Sequence, residues 1–196
     1  MTHRAFTLIE TIVVVAVTAL VMVTLGMMIQ YFYRTNEYTL EQSIASGQAR
    51  QGVESAMTYL REASYGSDGS YPVASAATST IVFYANVNSS PAIERVTYEL
   101  IGGTLYQGVA EPNGNPPSYA GAASATTTIA TSVVNGTSTP VFSYYDASGA
   151  LLSLPIDVAK IASVKTTLVI DVNVNRAPIA FTLSASATLR NLKEQL

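Results

Sequence analysis

Hydrophobic and polar positions divide the chain into three stretches of different period. From Thr11 to Tyr33 no side chain carries a charge, and Val, Ile, Leu, Met and Ala dominate. A membrane-crossing helix needs about 20 such residues, whereas the apolar region of a secretory signal is about 7–15 long and ends in a small-residue cleavage site. No A-x-A pattern follows this run. A core helix apolar on all sides would need a large surrounding core, so a membrane span is the better reading. Beyond it Leu40, Ile44, Val53, Met57 and Leu60 recur at helical spacing. Arg34, Glu37, Glu41, Arg50, Glu54, Arg61 and Glu62 fill most of the remaining positions. Every proline lies after residue 71, so the pattern predicts one helix from Phe6 to Glu62, about 85 Å long at 1.5 Å per residue. Its second half is amphipathic and needs a partner for its stripe. Arg50 and Glu54 can pair four residues apart, but an exposed pair contributes only about 0.3–0.5 kcal/mol and marks a solvated face.

The period then changes from helical to alternating. After the Gly/Ser-rich link from Gly66 to Ser70, strands are predicted at Thr80 to Val87, Ile93 to Leu100 and Thr104 to Val109, with Gly102-Gly103 as a tight hairpin turn. Glu111 to Ser118 carries Pro112, Pro116 and Pro117 and reads as a loop. Tyr119 to Ser132, rich in Ala, Thr and Ser, is ambiguous between strand, irregular loop and short helix and is left unassigned. Val141 to Tyr145 is a strand closed by the turn Asp146-Ala147-Ser148-Gly149. Val164, Thr166, Leu168, Ile170, Val172 and Val174 form one face of a longer strand. Phe181, Leu183, Ala185, Ala187 and Leu189 alternate with polar residues in another. Asn175 to Pro178 joins the two as an antiparallel pair. The expected architecture is α+β: a long N-terminal helix, membrane-spanning in its first half and amphipathic in its second, packed on an antiparallel sheet. The expected divisions are residues 1–5 as a leader, 6–33 as the span, 34–62 as the amphipathic continuation and 63–196 as a β-rich ectodomain.

Composition narrows the chemistry. The chain has 196 residues, 48% of them hydrophobic and 12% charged, which excludes global disorder. With 10 basic against 13 acidic residues the net charge is −3, leaving no basic surface for phosphates, so no nucleic-acid partner is expected. There is no cysteine, and His3 is the one histidine. If the first residues are removed, Ser-His, Cys-His and His-ligated metal sites become impossible. No P-loop or dinucleotide fingerprint is present, and no catalytic residue, cofactor or metal is expected. Asp146, Ser148 and Gly149 offer a cation too few of the six to eight oxygens calcium prefers, and a β-turn accounts for them. Asn88-Ser89-Ser90 and Asn135-Gly136-Thr137 match the glycosylation sequon no better than chance, and the 12 tyrosines read as ordinary strand residues.

The residues ahead of the span are the most specific. Met1-Thr2-His3-Arg4-Ala5 is a short basic leader that runs through Phe6-Thr7-Leu8-Ile9-Glu10 directly into the apolar stretch. This resembles the N-terminal methylation motif of type IV pilins and type II secretion pseudopilins. The resemblance implies cleavage between Ala5 and Phe6 by a leader peptidase that also methylates the new Phe6 amine. It makes Glu10 the acidic residue at the fifth position of the mature chain. Ala5 stands where the family usually has glycine, the smallest available departure. The resemblance also implies that Glu10 pairs with the Phe6 ammonium of a neighbouring subunit and so sets axial register. Physics independently asks for a compensating charge, since an acidic residue at the centre of a membrane helix costs about 2.5–3.5 kcal/mol, and less near its end. The plainer alternative leaves Glu10 at the helix start, favoured by the macrodipole and wetted by head groups.

A looser resemblance covers most of the ectodomain. Arg95-Val96-Thr97-Tyr98-Glu99-Leu100 to Leu105-Tyr106, Phe142-Ser143-Tyr144-Tyr145-Asp146 and Thr188-Leu189-Arg190-Asn191-Leu192 are similar to J-type minor pseudopilins and related minor pilins. Glu10 speaks against the K-type, which typically lacks the acidic fifth residue. The implied function is a non-enzymatic structural subunit, a minor pseudopilin or minor pilin acting in filament initiation or tip assembly. It would sit in the cytoplasmic membrane with its ectodomain outside, and in the pilus or pseudopilus once assembled. Implied partners are other pilins or pseudopilins, the prepilin leader peptidase and methyltransferase, the membrane and assembly platform proteins. The alternatives are a major pilin that polymerises alone and a single-pass membrane-anchored binding protein.

Overall fold

The computed structural model describes residues 7–88, 90–173 and 180–189. One helix, α1, runs Leu8–Arg61. Among the described residues eight strands follow: β1 Val73–Ala76, β2 Thr80–Ala85, β3 Glu94–Ile101, β4 Thr104–Ala110, β5 Ser124–Ala130, β6 Phe142–Tyr145, β7 Ser163–Ile170 and β8 Phe181–Thr188. A 3-10 turn, Val158–Lys160, precedes β7. The chain falls into two compact units, Met1–Glu41 and Gln42–Leu196. The first contains the apolar part of α1.

In the second unit the strands form two antiparallel sheets, a five-stranded meander β1-β2-β3-β4-β5 and a three-stranded β6-β7-β8. Between β3 and β4, Gly102 and Gly103 both take positive φ, +54° and +78°, as a two-residue hairpin turn of the primed type requires. Inward residues of both sheets share one core with the upper part of α1. Ile81, Phe83, Val96 and Tyr98 come from the first sheet, and Tyr144, Val164, Leu168 and Ile170 from the second. Ala49, Val53, Met57 and Leu60 come from the helix. The fold is therefore α+β, with a long N-terminal helix packed on antiparallel sheet.

The helix stripe differs from the expected one. Val53, Met57 and Leu60 are buried, but Leu40 and Ile44 are 62% and 53% exposed. The buried side of α1 within this unit continues instead through Gln42, Ala45, Ala49 and Ala56. Small side chains let the helix approach the sheet closely. At Gly52 an added Cβ would overlap Cγ2 of Ile129 on β5 and lie 3.3 Å from that residue's carbonyl oxygen.

Strand ends also move for identifiable reasons. β2 stops at Ala85 rather than Val87, because the Val87 N–H donates to Glu94 Oε2 at 2.9 Å. Glu94 is fully buried and accepts a second bond at Oε1 from Ser90 Oγ, also at 2.9 Å, so its carboxylate ties down the β2–β3 connection. β7 stops at Ile170 rather than reaching Val174. There the Asp171 N–H turns to the Ser132 carbonyl and the Val172 N–H to Gln42 Oε1. Val174, the expected turn Asn175 to Pro178, and Arg190 onward lie outside the described residues.

Candidate functional site

The expected site lies at the start of α1. Ala5 and Phe6 fall outside the described residues, so of the proposed cleavage, methylation and assembly residues only Glu10 is placed. It sits in the first turn of the helix and is exposed. Thr7 precedes the first helical residue, and its Oγ1 accepts the Glu10 backbone N–H at 3.4 Å. Its carbonyl accepts the Thr11 N–H at 3.2 Å. Thr7-Leu8-Ile9-Glu10 is thus an S/T-x-x-E capping sequence, in which the threonine oxygen satisfies a donor that the helix leaves free. The carboxylate stands where the aligned peptide dipoles are most positive. Periodicity alone did not mark Thr7; the signal available was a threonine three residues ahead of an acid at the mouth of an apolar run.

Along the helix that follows, every residue from Leu8 to Tyr33 is exposed, Leu8 at 79% and Met28 at 71%. This helix is long and apolar enough to cross a membrane. Two of its threonines are folded back: Thr18 and Thr24 each donate their hydroxyl to the carbonyl four residues earlier at 2.7 Å. In hydrocarbon such a bond removes a donor that would otherwise have no partner. The segment accordingly presents an apolar surface with one carboxylate at its edge.

Elsewhere the polar candidates resolve into structure. Asp146 Oδ1 accepts the Ser148 N–H at 2.9 Å, the Ser148 hydroxyl at 2.7 Å and the Ala150 N–H at 2.9 Å. Those bonds, the Ser148 hydroxyl first, hold the Asp146 carboxyl below its ordinary value of 3.8. The oxygen is committed to a turn. Among the described residues no group of three or more His, Cys, Asp or Glu side chains could hold a metal. Asn135 donates its amide to the carbonyls of Thr139 and Thr167, and its Oδ1 accepts the Val169 N–H, so it fastens a loop to β7. Asn88 is exposed and bonds Glu111. Tyr84, Tyr98 and Tyr144 are buried strand residues, and burial pushes the Tyr98 and Tyr144 phenols well above their ordinary range.

No family model matches this chain, and no curated protein matches it.

Proposed function

We propose that this chain is a non-enzymatic structural subunit of a type IV pilus-like or type II secretion filament, most closely a minor pseudopilin or minor pilin. The observation that carries the reading is the conjunction at the N-terminus. A basic leader and Phe6 run into a capped helix whose apolar surface is exposed along its whole first half, with a single carboxylate, Glu10, at its edge. A helix exposed in this way needs either lipid or other helices around it. A filament subunit uses both in turn, lipid after synthesis and neighbouring helices after extraction. Cleavage between Ala5 and Phe6 would create an ammonium for the Glu10 of an adjoining subunit. The leader peptidase, other pilins or pseudopilins and the assembly platform are the partners of this reading. The compartment is the cytoplasmic membrane, with the ectodomain outside.

A second reading, single-pass anchoring without assembly, draws support from the Thr7 cap, which gives Glu10 a local role at the helix start. Glu10→Gln separates the two. The substitution keeps the side chain's shape and removes its charge, which makes membrane insertion easier. Assembly predicts retained insertion with reduced incorporation into filaments and reduced co-purification with partner pilins. Anchoring alone predicts unchanged function, and normal co-purification would contradict the assembly role. Robust filaments from this protein alone would favour a major pilin.

A further inference from the structure

Two asparagines of the chain are followed by glycine, in Asn113-Gly114 and Asn135-Gly136, and the fold treats them oppositely. Glycine is the neighbour that least obstructs ring closure between an asparagine carboxamide carbon and the next backbone nitrogen. It has no Cβ and reaches backbone angles closed to other residues. The two dipeptides therefore share one intrinsic chemistry in water. How each carboxamide is held separates them.

Asn135 is half-buried, and three bonds of 2.9 Å fix its side chain: Nδ2 donates to the Thr139 and Thr167 carbonyls, and Oδ1 accepts the Val169 N–H. Turning its Cγ toward the Gly136 nitrogen breaks all three. Asn113 is exposed, and among the described residues its carboxamide bonds nothing. The Gly114 N–H likewise has no acceptor among the described residues, and Gly114 takes φ +81°. The base of this turn is closed, since the Asn113 N–H donates to the Ser118 carbonyl and the Ser118 N–H to the Asn113 carbonyl, both at 2.8 Å. Neither bond uses the Gly114 nitrogen or Asn113 Cγ, and residues 114–117 stand exposed at the tip. Asn115 is exposed on the same turn but precedes Pro116, whose nitrogen carries no hydrogen.

We propose that Asn113 is a site of spontaneous modification, deamidating through a succinimide, and that the fold protects Asn135 from the same reaction. As solvent base takes the Gly114 amide proton, the nitrogen bonds to Asn113 Cγ. The Cγ–Nδ2 bond breaks, and the side-chain nitrogen leaves as ammonia. Water then opens the ring at either of its two carbonyls and gives aspartate or isoaspartate. The net change consumes one water and releases one ammonia, with no oxidation or reduction. Either product adds a negative charge beside a cavity of about 800 Å³ that Asn113 lines together with Glu111 and Asn88, whose side chains bond each other at 3.2 Å. Isoaspartate also adds a carbon to the main chain and takes out of it the carbonyl that accepts the Ser118 N–H, which opens the base of the turn.

The test incubates the full chain in detergent micelles in mildly alkaline buffer and follows Asn113, Asn115 and Asn135 by peptide mass spectrometry, with enzymatic methylation of isoaspartate as a second readout. The expected result is conversion at Asn113 at least about tenfold faster than at Asn135, because freeing the Asn135 carboxamide breaks three hydrogen bonds, with Asn115 unchanged. The near-UV tyrosine signal confirms that the chain stays folded throughout. In denaturant, where both carboxamides meet water, the rates at Asn113 and Asn135 should become similar through an increase at Asn135. Equal rates in the folded chain, or an Asn113 that does not convert, would overturn the proposal. So would a difference that persists in denaturant, which would place its cause in the flanking sequence rather than in the bonds that hold Asn135.

Discussion

Gln42 and Ile170 are joined across 128 positions of the chain: Gln42 Nε2 donates to the Ile170 carbonyl at 3.2 Å. The same side chain accepts the Val172 N–H at Oε1, at 3.1 Å. A buried glutamine thus receives both backbone groups that β7 releases where it ends. Gln42→Leu keeps the volume and strands both groups, and each buried group left without a partner costs about 1–3 kcal/mol. Gln42→Glu should also destabilise, since it replaces the donor facing the Ile170 carbonyl by an acceptor. Gln48→Leu, at an exposed position of the same helix, should be nearly neutral. Denaturant unfolding of the full chain in micelles, followed through its buried tyrosines, measures all three.

Gly52 sets how closely α1 approaches β5. Alanine there gains about 1 kcal/mol of helix propensity over glycine but drives its Cβ into Ile129, and overpacking costs about 1–3 kcal/mol. Gly52→Ala is therefore expected to destabilise the folded chain, and to do so much less in an Ile129→Ala background. Equal effects in the two backgrounds, read by the same unfolding measurement, would show that this contact is not what matters.

The turn at Asp146 should loosen in acid. Its carboxyl is held below 3.8 by the Ser148 hydroxyl and by backbone donors, so the folded form binds its proton less readily than the unfolded form. The contribution is fully present above the ordinary value and is lost as pH falls through the lower folded one. Amide exchange at Ser148 and Ala150 should accelerate over that range, with the core strands unaffected. Asp146→Asn, which retains an acceptor oxygen, should remove the pH dependence while keeping most of the protection.

Much of this architecture is legible in residue order. Uninterrupted apolar residues from Thr11 to Tyr33 mark the first half of α1, and period-two alternation marks β3, β4, β7 and β8. The paired glycines at 102 and 103 place a turn. β5 was illegible because both of its faces meet solvent and its side chains therefore show no alternation. β1 is four residues of Val, Ala and Ser, too short for any period. Leu40 and Ile44 show that hydrophobic size is not the sign of burial on this helix, where close packing on the sheet selects Ala45, Ala49 and Gly52. Of the candidate site, Glu10 stood out as a lone charge. Its relation to Thr7 is signalled by the T-x-x-E spacing, and the folded turn supplies the bond from the Glu10 N–H to Thr7 Oγ1.

The central claim concerns the N-terminus, and mass spectrometry of the protein purified from cells with an active leader peptidase tests it most directly. The account predicts a mature chain beginning at Phe6 with an N-methyl group on its amine. A chain that still begins at Met1 would contradict it.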